Sequence, residues 1–173
     1  ASRGFKVTII LVGGEERIVD PSTTANWKAV KAMEHSVKLI VARDSAEIPE
    51  VKAPIIVDAL LGTGARGKLR QPLLRAVQII NGLEGFKVAI DLPTGVEAST
   101  GRLLGEAVKA DLTVTFHRVK AGLLKAEEYV GEIRVAGIGI PPEAEIYAGP
   151  GDVRKVRKPR PKDAHKGDFG RLL

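Results

Sequence analysis

Two carboxylates stand out, each closing an apolar run and each followed by a turn suited to close approach. The first is Asp58, in Val57-Asp58-Ala59-Leu60-Leu61, which leads into Gly62-Thr63-Gly64-Ala65-Arg66-Gly67-Lys68. Glycine permits positive φ and near contact with the backbone, so successive N–H groups of such a loop can form an anion-binding nest. Arg66 and Lys68 would add charge to it. An ordinary glycine-rich turn, with Asp58 capping the next helix, accounts for the same residues equally well. The second carboxylate is Asp91, in Ile90-Asp91-Leu92-Pro93-Thr94-Gly95, with the Thr94 hydroxyl three residues on. Two carboxylates on one edge of a parallel sheet can bind a cation or divide acid and base roles. The plainer alternative is that Asp91 caps a turn or pairs with a lysine. One such aspartate would favour that alternative; two at equivalent strand ends favour function.

Other chemistry is poorly served. The chain has no cysteine, which excludes a thiolate nucleophile, a disulfide scaffold and Cys-ligated zinc. His35, His117 and His165 are scattered without metal-site spacing, and Ser99 and Thr100 have no evident base partner.

The elements that must position Asp58 and Asp91 read as alternating strands and helices. Strand-length apolar runs fall at Val7–Val12, Val37–Ala42, Pro54–Leu61, Lys87–Leu92, Asp111–Phe116 and Gly131–Ile140. The first is β-branched and continuous, as in a strand buried on both faces. Helical spacing covers Thr24–His35, with Trp27 and Met33 expected in the core, and Gln71–Asn81, with Gly82 as a stop. Residues 95–110 read as a loop or small hairpin. This alternation predicts an α/β fold, a three-layer Rossmann-like domain with a mostly parallel sheet.

Composition bounds the rest. The chain of 173 residues is 44% hydrophobic and 28% charged, about one domain's worth. No apolar run approaches the roughly 18 residues of a membrane span, and no signal-peptide core follows Ala1. A soluble cytoplasmic protein with no membrane partner is expected. Seven aromatics make base stacking a poor prospect. The net charge of +6 is local: eight of the 27 basic and two of the 21 acidic residues lie between Arg154 and Arg171, leaving 19 of each elsewhere. A proline-punctuated basic run of this kind reads as a solvated linker, so no nucleic-acid partner is expected.

Taken together, Val57–Gly67, Ile90–Gly101, Ala110–Phe116, and Gly122-Leu123-Leu124 followed by Gly131–Pro141 resemble the NAD(P)H-hydrate epimerase domain. The resemblance covers most of residues 1–148. His165–Leu173 resembles the first strand region of a ribokinase-like, ADP-dependent NAD(P)H-hydrate dehydratase. The expected organisation is therefore an epimerase-like domain at 1–148 lacking its N-terminal glycine-rich loop, a basic linker at 149–164, and the start of a dehydratase domain at 165–173. A chain truncated at both ends is the corresponding expectation.

The resemblance implies an enzyme that interconverts the R and S forms of hydrated NADH and NADPH, NADHX and NADPHX. An S-specific dehydratase in the same parent chain, using ADP or ATP, then regenerates the cofactor. It implies Asp91 as the proton-transfer group beside the substrate, Gly62, Thr63, Gly64, Ala65, Arg66, Gly67 and Lys68 as the substrate-binding loop, and Asp58 and Thr94 as ligands of a potassium ion. It also implies a possible homo-oligomer. Where the family has a Gly or Ala and a Lys-Pro-Gly turn after Phe116, this chain has His117-Arg118-Val119-Lys120-Ala121-Gly122. A non-catalytic nucleotide-binding or protein-interaction module of the same fold is the alternative reading.

Overall fold

A computed structural model describes residues 3–33, 35–146, 149, 151–152 and 155. The strand expected within 165–173 and most of the expected linker lie outside these residues. Residues up to Ala136 form one compact unit and those from Gly137 another.

In the first unit, β1 (Val7–Val12) pairs in parallel with β2 (Val37–Ala42) over its full length, from Val7↔Val37 to Val12↔Ala42. A second, all-parallel sheet runs β3 (Ile55–Asp58), β4 (Phe86–Ile90), β5 (Leu112–Phe116) and β6 (Glu132–Ala136) in that spatial order. Parallel neighbours need a crossover, since a tight hairpin cannot reverse the chain twice. Helix α1 (Pro21–Lys31) supplies it between β1 and β2, and α2 (Leu73–Gly82) between β3 and β4. Parallel sheets with flanking helices are the α/β, Rossmann-like architecture the sequence predicts.

Local chemistry sets the helix boundaries. Asp20 caps α1 by accepting a bond from the Thr23 N–H at 2.7 Å, and Pro21 occupies the first turn, where no N–H is needed. Helix α2 buries Ala76, Val77 and Ile79 on one side. Ala76 and Ile79 join Ala42 and Ile48 in a cluster against which Ile10, Val12, Leu60 and Leu83 pack, so α2 packs with residues of the β1–β2 sheet and with the loop after β3.

The link between β4 and β5 is a long loop rather than a helix, as expected for residues 95–110, and it folds back through an isolated antiparallel bridge, Val96↔Leu103. This loop carries core. Leu92, Val96 and Ala107 pack with Leu123, Ala126 and Val130, the last from α3 (Glu127–Val130). Gly95 makes the fold-back possible: its φ is +98°, and a Cβ there would lie 2.1 Å from the Glu106 carbonyl oxygen.

Two expectations need correction. Val7–Val12 is half-buried along most of its length rather than buried on both faces. Helix α1 buries no residue: Met33 is 45% exposed, and Trp27 is only half-buried, its Nε1–H donating to Glu15 at 2.9 Å. The 3.6-residue apolar spacing was real, but the helix covers its sheet loosely.

On the β3–β6 sheet, alternation places Ile55, Val57, Phe86 and Val88 on one face, and none of them is buried. Ile55, Val57 and Phe86 are half-exposed or more. Asp58, Ala89 and Thr113 share the opposite, buried face through the register Asp58↔Ala89↔Thr113.

Candidate active site

Asp58 is the last residue of β3 and only 1% exposed. Its carboxylate survives burial because the loop after β4 supplies donors. Thr94 N–H bonds to Oδ2 at 2.7 Å, the Thr94 hydroxyl to Oδ1 at 2.7 Å, and Leu60 N–H to Oδ1 at 3.3 Å. Burial pushes the Asp58 carboxyl above its ordinary value, against the opposing pull of the Thr94 and Leu60 hydrogen bonds. The Thr94 oxygen in turn accepts the Leu61 N–H at 3.2 Å. The turns after β3 and β4 are thus stitched together through one buried hydroxyl.

The stretch after Leu61 is exposed at Gly62, Thr63, Gly64, Arg66, Gly67 and Lys68 and half-buried at Ala65. It is a turn closed by Ala65 N–H to Gly62 O at 3.2 Å. A Cβ built on Gly62, Gly64 or Gly67 meets nothing within 4 Å, so this surface is open to an approaching molecule. Arg66 is exposed on this loop. Its guanidinium donates to the carbonyls of Thr63 at 3.0 Å and Ala65 at 2.7 Å, fastening the loop to itself.

Asp91 follows β4 with φ of +68°, a left-handed conformation that bends the chain out of the sheet. Its N–H still reaches Val114 O at 2.8 Å, so the bend begins on the last rung of the ladder. Its carboxylate is loaded on one side. Oδ1 accepts from Phe116 N–H at 3.1 Å, from the Thr115 hydroxyl at 3.3 Å, and from the Lys120 ammonium. Among the described residues no donor reaches Oδ2. The side chain keeps 17% of its surface exposed.

The parallel pairing of β3 and β4 brings Asp58 and Asp91 to the same, carboxyl-terminal edge, as the sequence predicts. Thr94 joins Asp58, and the glycine-rich loop begins four residues beyond Asp58, at Gly62. Asp91 also pairs with a lysine, the plainer alternative, and that lysine is Lys120. Sequence reasoning did not single out Lys120, because its partner lies 29 residues away. The only sequence signal is its place in the short turn between β5 and Gly122. His117 adopts φ +64° just past the same strand end and is half-buried.

An open parallel α/β sheet with carboxylates and a glycine-rich loop at its carboxyl edge is a small-molecule-binding class of protein. The chain belongs to the family described as YjeF-related protein N-terminus, which it matches over residues 1–122. It is 44% identical over 173 residues to the bifunctional NAD(P)H-hydrate repair enzyme Nnr of Hyperthermus butylicus, covering all of this chain and 32% of that relative. It is 54% identical over 124 residues to the Nnr enzyme of Archaeoglobus fulgidus, covering 72% of this chain and 26% of the relative. To the NAD(P)H-hydrate epimerase of Cenarchaeum symbiosum it is 41% identical over 147 residues, 84% of this chain and 67% of the relative. The chain therefore spans about a third of the length of the bifunctional relatives it matches, and about two thirds of the epimerase. Among the described residues no helix is long and apolar enough to cross a membrane.

Proposed function

We propose that this chain is an NAD(P)H-hydrate epimerase domain that interconverts the R and S forms of NADHX and NADPHX. The observation that carries the reading is the Asp91 carboxylate, with one oxygen anchored on three donors and the other without a partner among the described residues. The reacting carbon of the hydrate bears a hydroxyl and the ring nitrogen, as in a carbinolamine. Asp91 Oδ2 takes the hydroxyl proton, the carbon–nitrogen bond opens to a carbonyl, and the proton passes to the ring nitrogen. Closure on the other face reverses each transfer and inverts the centre, with no net gain or loss of atoms. A positioned proton-transfer group contributes about 10²–10⁴-fold in rate.

Gly62, Thr63, Gly64, Ala65, Arg66, Gly67 and Lys68 form the substrate-binding loop in this reading, supported by the open space above the glycines. Arg66 also fastens that loop through its bonds to the Thr63 and Ala65 carbonyls.

A potassium ion fits the chemistry of Asp58 and Thr94 in kind. Both offer only hard oxygen donors, and a carboxylate has about four lone-pair sites, of which Asp58 uses three. Bound there, the ion would offset the charge of a buried carboxylate and stiffen the two turns that Thr94 joins.

The longer relatives are named bifunctional repair enzymes, which supports a second, dehydratase activity in the same parent chain. The ADP or ATP it takes would be bound by sequence outside the described residues. A cytoplasmic site of action is part of the reading, since NADH and NADPH are intracellular cofactors. So is a homo-oligomer, supported by the exposed apolar side chains Ile55, Val57 and Phe86.

The test follows R/S interconversion of purified NADHX by chromatography, using the full-length protein and its Asp91→Asn variant. A drop of about 100-fold or more is expected. Unchanged interconversion in the variant would refute the assignment.

A further inference from the structure

The ammonium of Lys120 makes three contacts, and all are with protein. It donates to Asp91 Oδ1, to the Thr115 hydroxyl at 3.0 Å and to the Phe116 carbonyl at 2.8 Å. An ammonium has three N–H donors, so none is left for a ligand. The turn after β5 is shaped to bring it there. His117 turns the chain at φ +64°, the Arg118 N–H returns to Phe116 O at 2.7 Å, and Leu123 N–H closes on Lys120 O at 3.0 Å. The stem is folded back over the end of its own strand, leaving the side chain 21% exposed. Thr115, fully buried, fixes the acceptor end by giving its own proton to Asp91 Oδ1 at 3.3 Å.

We infer that Lys120 is a positioning residue for the epimerisation: with Thr115 and the Phe116 N–H it holds Asp91 by Oδ1 and so presents Oδ2 to the substrate. The inference rests on the functional reading of Asp91. It distinguishes Lys120 from a phosphate-binding or proton-donating lysine, because either role needs an N–H that this geometry has already committed. Lys120 acts only through Asp91, and without it the carboxylate keeps two weaker donors and can swing. Misplacing a catalytic group by about 1 Å can cost about 10²-fold.

The test is a double-mutant cycle in the full-length protein, with kcat and KM for NADHX epimerisation measured for the wild type, Lys120→Met, Asp91→Asn and the double variant. The expected result is a kcat lowered about 10- to 100-fold in Lys120→Met with KM changed less than about threefold. In the Asp91→Asn background, Lys120→Met should have no further effect, within about twofold, since the group it aims is gone. If Lys120→Met does not fold, Lys120→Gln, which keeps N–H donors without the charge, replaces it in the cycle with the same expectation at a smaller loss. An equal loss in both backgrounds, a loss confined to KM, or no loss in the wild-type background overturns the inference and leaves Asp91 in place. An Asp91→Asn protein that epimerises at the wild-type rate overturns both the functional reading and this inference.

Discussion

Replacing Thr94 with valine keeps the shape of the side chain and removes one oxygen. That oxygen donates to Asp58 Oδ1 at 2.7 Å and accepts the Leu61 N–H at 3.2 Å, in a place only 1% exposed. Water therefore cannot replace it cheaply. A hydrogen bond to a charged group contributes about 1.5–3 kcal/mol and one between neutral groups about 1 kcal/mol, so the variant should lose about 2.5–4 kcal/mol at pH 7. At roughly 2–4 °C per kcal/mol for a chain of this length, the midpoint of thermal unfolding should fall by about 5–15 °C.

The pH dependence separates this account from a generic packing loss. Burial raises the Asp58 carboxyl in the fold above its ordinary 3.8, so the stability linked to this group is full below that value. It is lost as pH rises through the higher, folded value. Removing the Thr94 donor takes away one of the bonds that oppose the rise, which pushes the folded value further up and deepens the loss at neutral pH. In acid the carboxyl is neutral, and the missing bond is an ordinary one of about 1 kcal/mol. Urea unfolding of wild type and Thr94→Val from pH 3 to pH 8 measures the difference directly. A deficit below about 1 kcal/mol at pH 7, or one that stays constant into acid, would refute the reasoning.

Gly95→Ala should destabilise the fold by more than about 3 kcal/mol, seen as a lowered urea midpoint, because φ is +98° and the new Cβ would lie 2.1 Å from Glu106 O. Leu92→Ala empties the centre of the cluster formed with Val96, Ala107, Leu123, Ala126 and Val130 and should cost about 2–5 kcal/mol by the same measurement.

The sequence made the sheet legible because continuous apolar runs at strand length have few other uses. Val7–Val12 and Val37–Ala42 are strands at the residues expected, and the remaining four form within their expected runs or one residue beyond. Helix packing was harder. Periodicity finds an apolar face but not what the face rests on, so Trp27 and Met33 looked like core and are not. At the site, the strand-end positions of Asp58 and Asp91 followed from sequence because parallel pairing fixes which edge a strand ends on. That Asp58 and Thr94, 36 residues on, meet followed from the resemblance alone, as ligands of one ion, and their direct hydrogen bond did not; nor did the partnership of Asp91 with Lys120, because both bonds depend on loops folding across neighbouring strand ends. Arg66 shows the same limit: its charge was legible and its bonds to the Thr63 and Ala65 carbonyls were not.

The two aspartates look alike in sequence, each ending an apolar run, and the structure gives them opposite surroundings. Asp58 is enclosed, with both oxygens bound inside the protein, so its bonds hold two turns together. Asp91 is anchored by one oxygen at a partly open surface, so its bonds aim the other. The division predicts a dissociation between neighbours three residues apart. Asp91→Asn keeps an oxygen that Phe116, Thr115 and Lys120 can still reach, so its loss of stability should be smaller than that of Thr94→Val. Its epimerisation should nevertheless collapse. Thr94→Val should show the reverse emphasis, with a large loss of stability under urea and, at temperatures where it remains folded, a smaller loss of kcat than Asp91→Asn. Measured side by side, equal losses of stability in the two variants would refute the division of labour between the carboxylates.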